Sequence, residues 1–90
     1  MRKTLHSRRS LDLRCRLRGA REAGGLTQAD LAAQLCKPQS FVSKFELGER
    51  RLDVVEYAEI CEILGIDPAQ LLRDVLAGES GLRGSRAKRR

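Results

Sequence analysis

Four polar residues in the stretch 39–44 carry side chains that can hydrogen-bond the edges of nucleic-acid bases. A glutamine amide can pair bidentately with adenine N6 and N7, and a lysine ammonium can donate to guanine O6 and N7. A serine hydroxyl pairs with almost any polar group, including a phosphate. If these residues lie on the solvent face of a helix, that helix could read base edges in the major groove of DNA. The candidates for base contact are Gln39, Ser40, Ser43 and Lys44.

The helix that must present these residues is predicted to be the second of two short helices joined by a tight turn. Thr27 is an N-cap residue and Asp30 follows three positions later, as in a capping box, so the first helix is predicted over 28–35. A two-residue turn follows. Pro38 then suits the first position of the second helix, where its missing N–H costs nothing, and Gly48 ends that helix.

Apolar residues at helical spacing predict three further helices around this pair. One precedes it over 11–23, with Ser10 as its N-cap and Gly24 as a left-handed C-terminal cap. Two follow it, over 54–64 and 68–76, and no segment shows a strand pattern. The predicted fold class is therefore all-α, a compact five-helix domain with a helix-turn-helix at its second and third helices.

Positive charge is concentrated at the two ends of this 90-residue chain, whose net charge is +6. Residues 1–24 hold eight Arg and Lys against two acids, residues 77–90 hold five against one, and residues 48–76 hold an excess of acids. We therefore predict a flexible basic arm (1–9), a folded domain (10–76) and a basic disordered tail at the C-terminus. A polyanion is the natural partner for such ends, and a solvated tail without a binding role is the alternative.

Several classes of function lack the residues they need. Cys15, Cys36 and Cys61 are odd in number and show no metal-ligand spacing, so neither a zinc site nor a disulfide framework is expected. His6 stands alone in the predicted arm, so we expect no enzymatic activity and no cofactor. No apolar run indicates a signal peptide or a membrane span. Free thiols favour a cytoplasmic location.

Residues 13–76 resemble the lambda-repressor-like, XRE-type helix-turn-helix family of phage repressors and small bacterial regulators. Four stretches carry the resemblance: LTQADLA from position 26, PQSFVSKFE from position 38, GERR from position 48 and ILGIDP from position 63. The resemblance implies a five-helix domain that binds double-stranded DNA as a homodimer on a palindromic operator. The implied function is that of a sequence-specific, repressor-like transcriptional regulator.

The same resemblance implies roles for individual residues. The first solvent-facing residues of the recognition helix, Gln39 and Ser40, would touch bases, and Lys44 would do so one turn later. A buried ion pair would join Arg21 in the first helix to Glu46 at the end of the third. Phosphate contacts would come from the start of the second helix, the turn and the loop after the recognition helix: Gln28, Lys37, Arg50 and Arg51.

Cys36 departs from the family's pattern, because it stands at a turn position where these proteins usually have glycine. If the turn requires a positive φ, a residue with a Cβ is mildly strained there. The departure bears on the geometry of the turn and leaves the predicted fold unchanged.

A homodimer is also expected on physical grounds, because one recognition helix covers too few base pairs to select one site among many. The predicted contact surface is the end of the fourth helix with the fifth, and the alternative is that its apolar residues only cover the core of the monomer. A second class of function also stays open, an antitoxin or bridging module whose main partner is another protein. The residues of the predicted dimer surface are Leu71, Leu72, Val75 and Leu76.

Overall fold

The computed structural model describes residues 7–78, which form five α-helices with no strand among them. They are α1 (Arg8–Ala23), α2 (Gln28–Leu35), α3 (Gln39–Leu47), α4 (Val54–Leu64) and α5 (Pro68–Ala77). The all-α fold class, and the helix-turn-helix formed by α2 and α3, are therefore confirmed. In this described part of the chain, no helix is long and apolar enough to cross a membrane.

Reciprocal capping boxes begin α2 and α4. The Thr27 hydroxyl accepts the backbone N–H of Asp30, and the Asp30 carboxylate accepts the backbone N–H of Thr27. Asp53 and Glu56 make the same pair of bonds at the start of α4. Each box satisfies two N–H groups that the helix itself cannot pair, so both helices begin where the sequence predicted.

The start of α1 was predicted wrongly. Ser7, not Ser10, is the N-cap, and its hydroxyl accepts the backbone N–H of Ser10 at 3.0 Å. The two residues after Ser7 therefore belong to the helix rather than to a flexible arm, and Arg9 donates to the carbonyl of Leu76 at 3.1 Å. This bond to α5 holds the first turn of α1 in place. The rest of the predicted arm, and the predicted tail beyond Gly78, lie outside the described residues.

Details at three other helix ends also differ from the prediction. α5 runs to Ala77, one residue into the predicted tail. Gly24 caps α1 with φ −84°, and the left-handed conformation falls on Gly25, with φ +75°. The backbone N–H of Gly24 still bonds carbonyls of α1, so the chain leaves the helix only at the next residue. Pro38 is the N-cap of α3 rather than its first residue, with extended backbone at φ −70° and ψ 155°.

The core is aliphatic, with three aromatic rings, and draws on all five helices. α2 packs mainly on α3, while α1 lies against α3, α4 and α5. The Tyr57 hydroxyl donates to the carbonyl of Pro68 at 2.6 Å, which ties α4 to the start of α5. This packing fixes the direction in which α3 turns its polar side. The buried apolar residues are Leu17, Leu31, Ala32, Phe41, Val42, Phe45, Tyr57, Ile60, Cys61, Leu71 and Val75.

Cys36 has the positive φ that its turn position required. It caps α2 in the left-handed conformation, with φ 59° and ψ 42°, and its backbone N–H bonds the carbonyls of the last turn. Among residues 7–78, it is the only residue other than glycine that has a positive φ. Its conformation therefore stores strain at the centre of the helix-turn-helix.

We predict that Cys36→Gly raises the free energy of unfolding by about 0.5–1 kcal/mol. The left-handed conformation costs a residue with a Cβ about 1–2 kcal/mol, and the larger unfolded-state entropy of glycine offsets part of the gain. Cys36→Ala is the matched control, because it removes the thiol and keeps the Cβ. Urea denaturation of both variants decides the matter, and equal stability of the two would contradict the strain.

Candidate nucleic-acid interface

α3 has one side in the core and one in solvent. Phe41, Val42 and Phe45 are buried, and the two rings lie 5.8 Å apart between centroids. Anchoring these three side chains fixes the rotation of the helix, so its polar residues turn outward together. The structure exposes Gln39, Ser40 and Lys44 and half-buries Ser43, whose hydroxyl donates to the carbonyl of Ser40 at 3.3 Å.

A buried ion pair joins α1 to the end of α3. Arg21 donates from Nε to one oxygen of Glu46 at 2.7 Å and from Nη2 to the other at 3.1 Å. The two side chains are 8% and 4% exposed. Nη1 of Arg21 also donates to the carbonyl of Leu26, in the loop between α1 and α2, at 2.7 Å. The hydrogen bond with Glu46 outweighs desolvation and raises the pKa of Arg21, so the guanidinium stays charged.

The ion pair continues to the surface through two glutamines. Gln28, half-buried at the start of α2, donates from Nε2 to Glu46 Oε1 at 2.9 Å. Gln39, exposed at the start of α3, donates from its own Nε2 to Gln28 Oε1 at 2.8 Å. A single line of hydrogen bonds therefore runs from Arg21 in the core to the first outward residue of α3.

This line determines how each amide is oriented. Both oxygens of Glu46 accept from Arg21, and Oε1 also accepts from Gln28, so Gln28 presents its NH₂ group to Glu46 and its oxygen to Gln39. Gln39 then uses one N–H on Gln28, which leaves its oxygen and its second N–H for other partners. An acceptor and a donor side by side form the pattern that pairs with adenine N6 and N7.

A second carboxylate links the two ends of α3. Glu56, in the first turn of α4, accepts from Arg50 Nη1 at 2.8 Å and Nη2 at 3.0 Å, and Lys37 Nζ lies 3.7 Å from its Oε2. Both cations lie over the ring of Phe41, at 5.2 Å for Lys37 Nζ and 4.7 Å for Arg50 Cζ. The hydrogen bonds from Arg50 and from the backbone of Asp53 lower the pKa of Glu56, so this carboxylate is ionised at neutral pH.

The residues predicted to bind phosphate therefore lie in different environments. Arg51 is exposed in the loop between α3 and α4, and Gln28 is at the N-terminus of α2, where backbone N–H groups favour anions. Lys37 and Arg50 share Glu56, and Arg50 also donates to the carbonyl of Arg51 at 2.7 Å. Lys37 lies just before α3 and Arg50 just after it, and both charges already have Glu56 as a partner.

Sequence reasoning missed two residues of this region. Glu56 was not among the predicted site residues, because its pairing with Arg50 crosses an irregular loop of the chain. The available signal was an acid in the first turn of a helix that follows a basic loop. The other residue is Arg14, whose guanidinium lies so close to Gly48 that a Cβ there would come within 2.8 Å of Arg14 Cζ. A cation at this position stabilises the C-terminus of α3.

Apolar side chains remain exposed beside α5. Val54, Leu72 and Leu76 are 80%, 43% and 57% exposed, and all three line one groove formed by α1, α4 and α5. Leu71 and Val75, which the sequence placed on the same surface, are buried because α5 turns them toward α1 and α4. The exposed apolar surface is therefore narrower on α5 than predicted and extends to the start of α4.

We predict that Glu46→Ala lowers the free energy of unfolding by about 3–5 kcal/mol, because it leaves the buried charge of Arg21 without its partner. The control is Arg18→Ala, which removes an exposed pair with Glu22 whose side chains are 61% and 54% exposed. That change should cost less than about 1 kcal/mol. Both values come from urea denaturation, and a small effect of Glu46→Ala would show that the pair is not desolvated in solution.

Comparison with known proteins agrees with this geometry. The family model of a helix-turn-helix domain matches residues 12–74. The solved structure of an XRE-family like protein from Pseudomonas syringae pv. tomato str. DC3000 is 51% identical, with a TM-score of 0.76, and the match covers 83% of this chain and 92% of that one. The crystal structure of the clp gene regulator ClgR from Corynebacterium glutamicum is 26% identical, with a TM-score of 0.67, covering 86% of this chain and 81% of that one.

No curated protein matches the chain. The family match nevertheless spans well over half of the sequence, and the identity to the Pseudomonas protein extends over most of both chains. The chain belongs to the XRE-type helix-turn-helix family of DNA-binding transcription regulators.

Proposed function

We propose that this protein is a sequence-specific, repressor-like regulator that reads the major groove of double-stranded DNA with α3. The observation that carries the proposal is the outward polar side of α3. The amide of its first residue, Gln39, is oriented by hydrogen bonds that lead through Gln28 to Glu46. ClgR, a relative described as a gene regulator, supports a transcriptional role. A DNA partner also favours the cytoplasmic location, and a non-enzymatic function, that the sequence predicted.

Base recognition is assigned to the four outward residues of α3. Gln39 pairs with adenine through its oxygen and its second N–H, and Lys44 donates to guanine O6 and N7. The hydroxyls of Ser40 and Ser43 are short and can bond either a base edge or a phosphate. Together these contacts cover only a few base pairs.

Phosphate binding is assigned to the groups that flank this face. Gln28 keeps a second amide N–H, and its backbone N–H lies in the first turn of α2, where the helix dipole favours an anion. Arg51 is exposed in the loop that follows α3. Such contacts fix the protein's register on the duplex without reading its sequence.

A homodimer would double the number of base pairs that are read. Two copies of α3 about 34 Å apart would enter successive major grooves on one side of the duplex. We assign the contact to the exposed apolar strip formed by Val54, Leu72 and Leu76. Association of two such strips would remove apolar surface from water.

Binding to another protein, as an antitoxin or bridging module, is the second candidate. The same apolar strip favours it, because an exposed apolar groove is also a surface for a protein partner. Size-exclusion chromatography with and without random duplex DNA separates the two candidates. A complex that dissociates steeply with salt supports DNA binding.

We predict that Gln39→Ala and Arg51→Ala weaken DNA binding in different ways. Each is measured on an operator, selected from a pool of random sequences, and on an unselected random duplex. Gln39→Ala should lose about 1–3 kcal/mol of binding free energy on the operator and little on a random duplex. Arg51→Ala should weaken both duplexes equally and reduce the slope of log K against log[salt] by about one. Fluorescence anisotropy titrations over a range of salt concentrations give both quantities.

The matched controls are Gln34→Ala and Arg73→Ala. Both positions are exposed, on α2 and α5 respectively, and neither is among the residues assigned to DNA. These controls should bind like the wild type. If Gln39→Ala and Arg51→Ala also bind the operator like the wild type, α3 is not the element that reads DNA.

We predict that Leu76→Lys abolishes dimerisation, because it places a charge in the apolar strip. Analytical ultracentrifugation should show two wild-type chains on a minimal operator and loss of that stoichiometry in the variant. Val55→Lys is the control on the same operator, since Val55 is 63% exposed and does not line the groove. One wild-type chain per minimal operator would contradict the dimer.

A further inference from the structure

The two ends of α3 are held by the same carboxylate. Lys37 lies just before α3 and Arg50 just after it, and both are paired with Glu56 of α4. Phe41, from the first turn of α3, contacts both cations through its ring. These four residues are called here the Glu56 cluster: Lys37, Phe41, Arg50 and Glu56.

Glu56 is itself fixed in position. Its Oε1 accepts the backbone N–H of Asp53 at 3.0 Å as well as Arg50 Nη1 at 2.8 Å, and its own backbone N–H donates to Asp53 Oδ1 at 2.7 Å. The residue is 9% exposed. A buried carboxylate that loses its cation is strongly destabilised. The Glu56 cluster therefore resists the transfer of Arg50 to another anion.

The pairing changes what these two cations can contribute to DNA binding. A lysine or arginine that binds phosphate releases condensed counterions, and each such contact adds about 0.9 to the salt slope. A cation that is already paired must exchange one anion for another, so its net gain from a phosphate is smaller. Lys37 and Arg50 flank α3 in the sequence, and their side chains are 38% and 42% exposed, so the phosphates of a duplex bound along α3 could approach both.

We propose that Glu56 limits the sequence-independent affinity of the protein for DNA by withholding Lys37 and Arg50 from the phosphates. Base contacts on α3 then contribute a larger share of the total binding free energy. This inference rests on the proposed DNA-binding function. It assigns to Glu56 a positioning role that differs from its role as a cap of α4.

Glu56→Gln tests the proposal, because glutamine at this position still completes the capping box while the negative charge is removed. The variant should bind random duplex about three- to tenfold tighter at about 0.15 M salt, with a salt slope steeper by about one to two. The ratio of operator to random affinity should stay the same within about twofold, since the freed cations contact phosphates in both duplexes.

Glu59→Gln is the matched control. Glu59 is an exposed residue of α4, and its substitution changes the net charge by the same amount without breaking the Glu56 cluster. It should leave the salt slope unchanged. If Glu56→Gln behaves like Glu59→Gln, or binds more weakly than the wild type, the inference is overturned while the proposed function stands. A wild-type chain that binds neither duplex would overturn the proposed function as well.

Lys37→Ala provides a second test that leaves the cap of α4 untouched. In the wild-type background it should leave the salt slope unchanged, because Lys37 is already paired with Glu56. In the Glu56→Gln background the same substitution should lower the slope by about one. A drop of about one in the wild-type background would show that Lys37 already binds phosphate, and would overturn the proposal. A purely structural role of Glu56 would not produce this difference between the two backgrounds.

Discussion

The buried ion pair between Arg21 and Glu46 is the interaction on which the polar face of α3 depends. It joins α1 to the C-terminal turn of α3, and its third bond holds the loop before α2 through the carbonyl of Leu26. In a small helical domain with few aromatic residues, three elements are thus positioned by one guanidinium. The pair is desolvated, so it stabilises the fold only while both partners and their hydrogen bonds are in place.

The two carboxylates near α3 act in opposite directions. Glu46 sets the orientation of the two glutamine amides. Because its carboxylate accepts, Gln28 presents its NH₂ group inward and its oxygen outward, and Gln39 then donates to that oxygen. Glu56 instead pairs with the two cations that flank α3. Under the proposed function, Glu46 would support the recognition of specific bases, and Glu56 would limit the general attraction to phosphate.

The sequence predicted best what is encoded over a few residues. A capping box is complete within four residues, so α2 and α4 begin where expected. Ser7 and Ser10 are both suitable caps for α1, and the bond of the first helical turn to α5 favours Ser7. The pairing of Arg50 with Glu56 depends on the path of an irregular loop, which no local pattern encodes. The ion pair of the core was expected only because the family resemblance aligned its two positions.

The most direct measurement is a double-mutant cycle of Gln28→Ala and Gln39→Ala, scored by the difference in binding free energy between operator and random duplex. A phosphate contact by Gln28 cancels in that difference, so only the orientation of Gln39 remains. If the amide of Gln39 is set from the core, Gln28→Ala reduces discrimination on its own. The double variant then loses no more than Gln39→Ala, with a coupling of about 0.5–3 kcal/mol. If the losses of the two single variants add in the double variant, or if Gln28→Ala still distinguishes operator from random duplex as the wild type does, the buried pair does not orient Gln39.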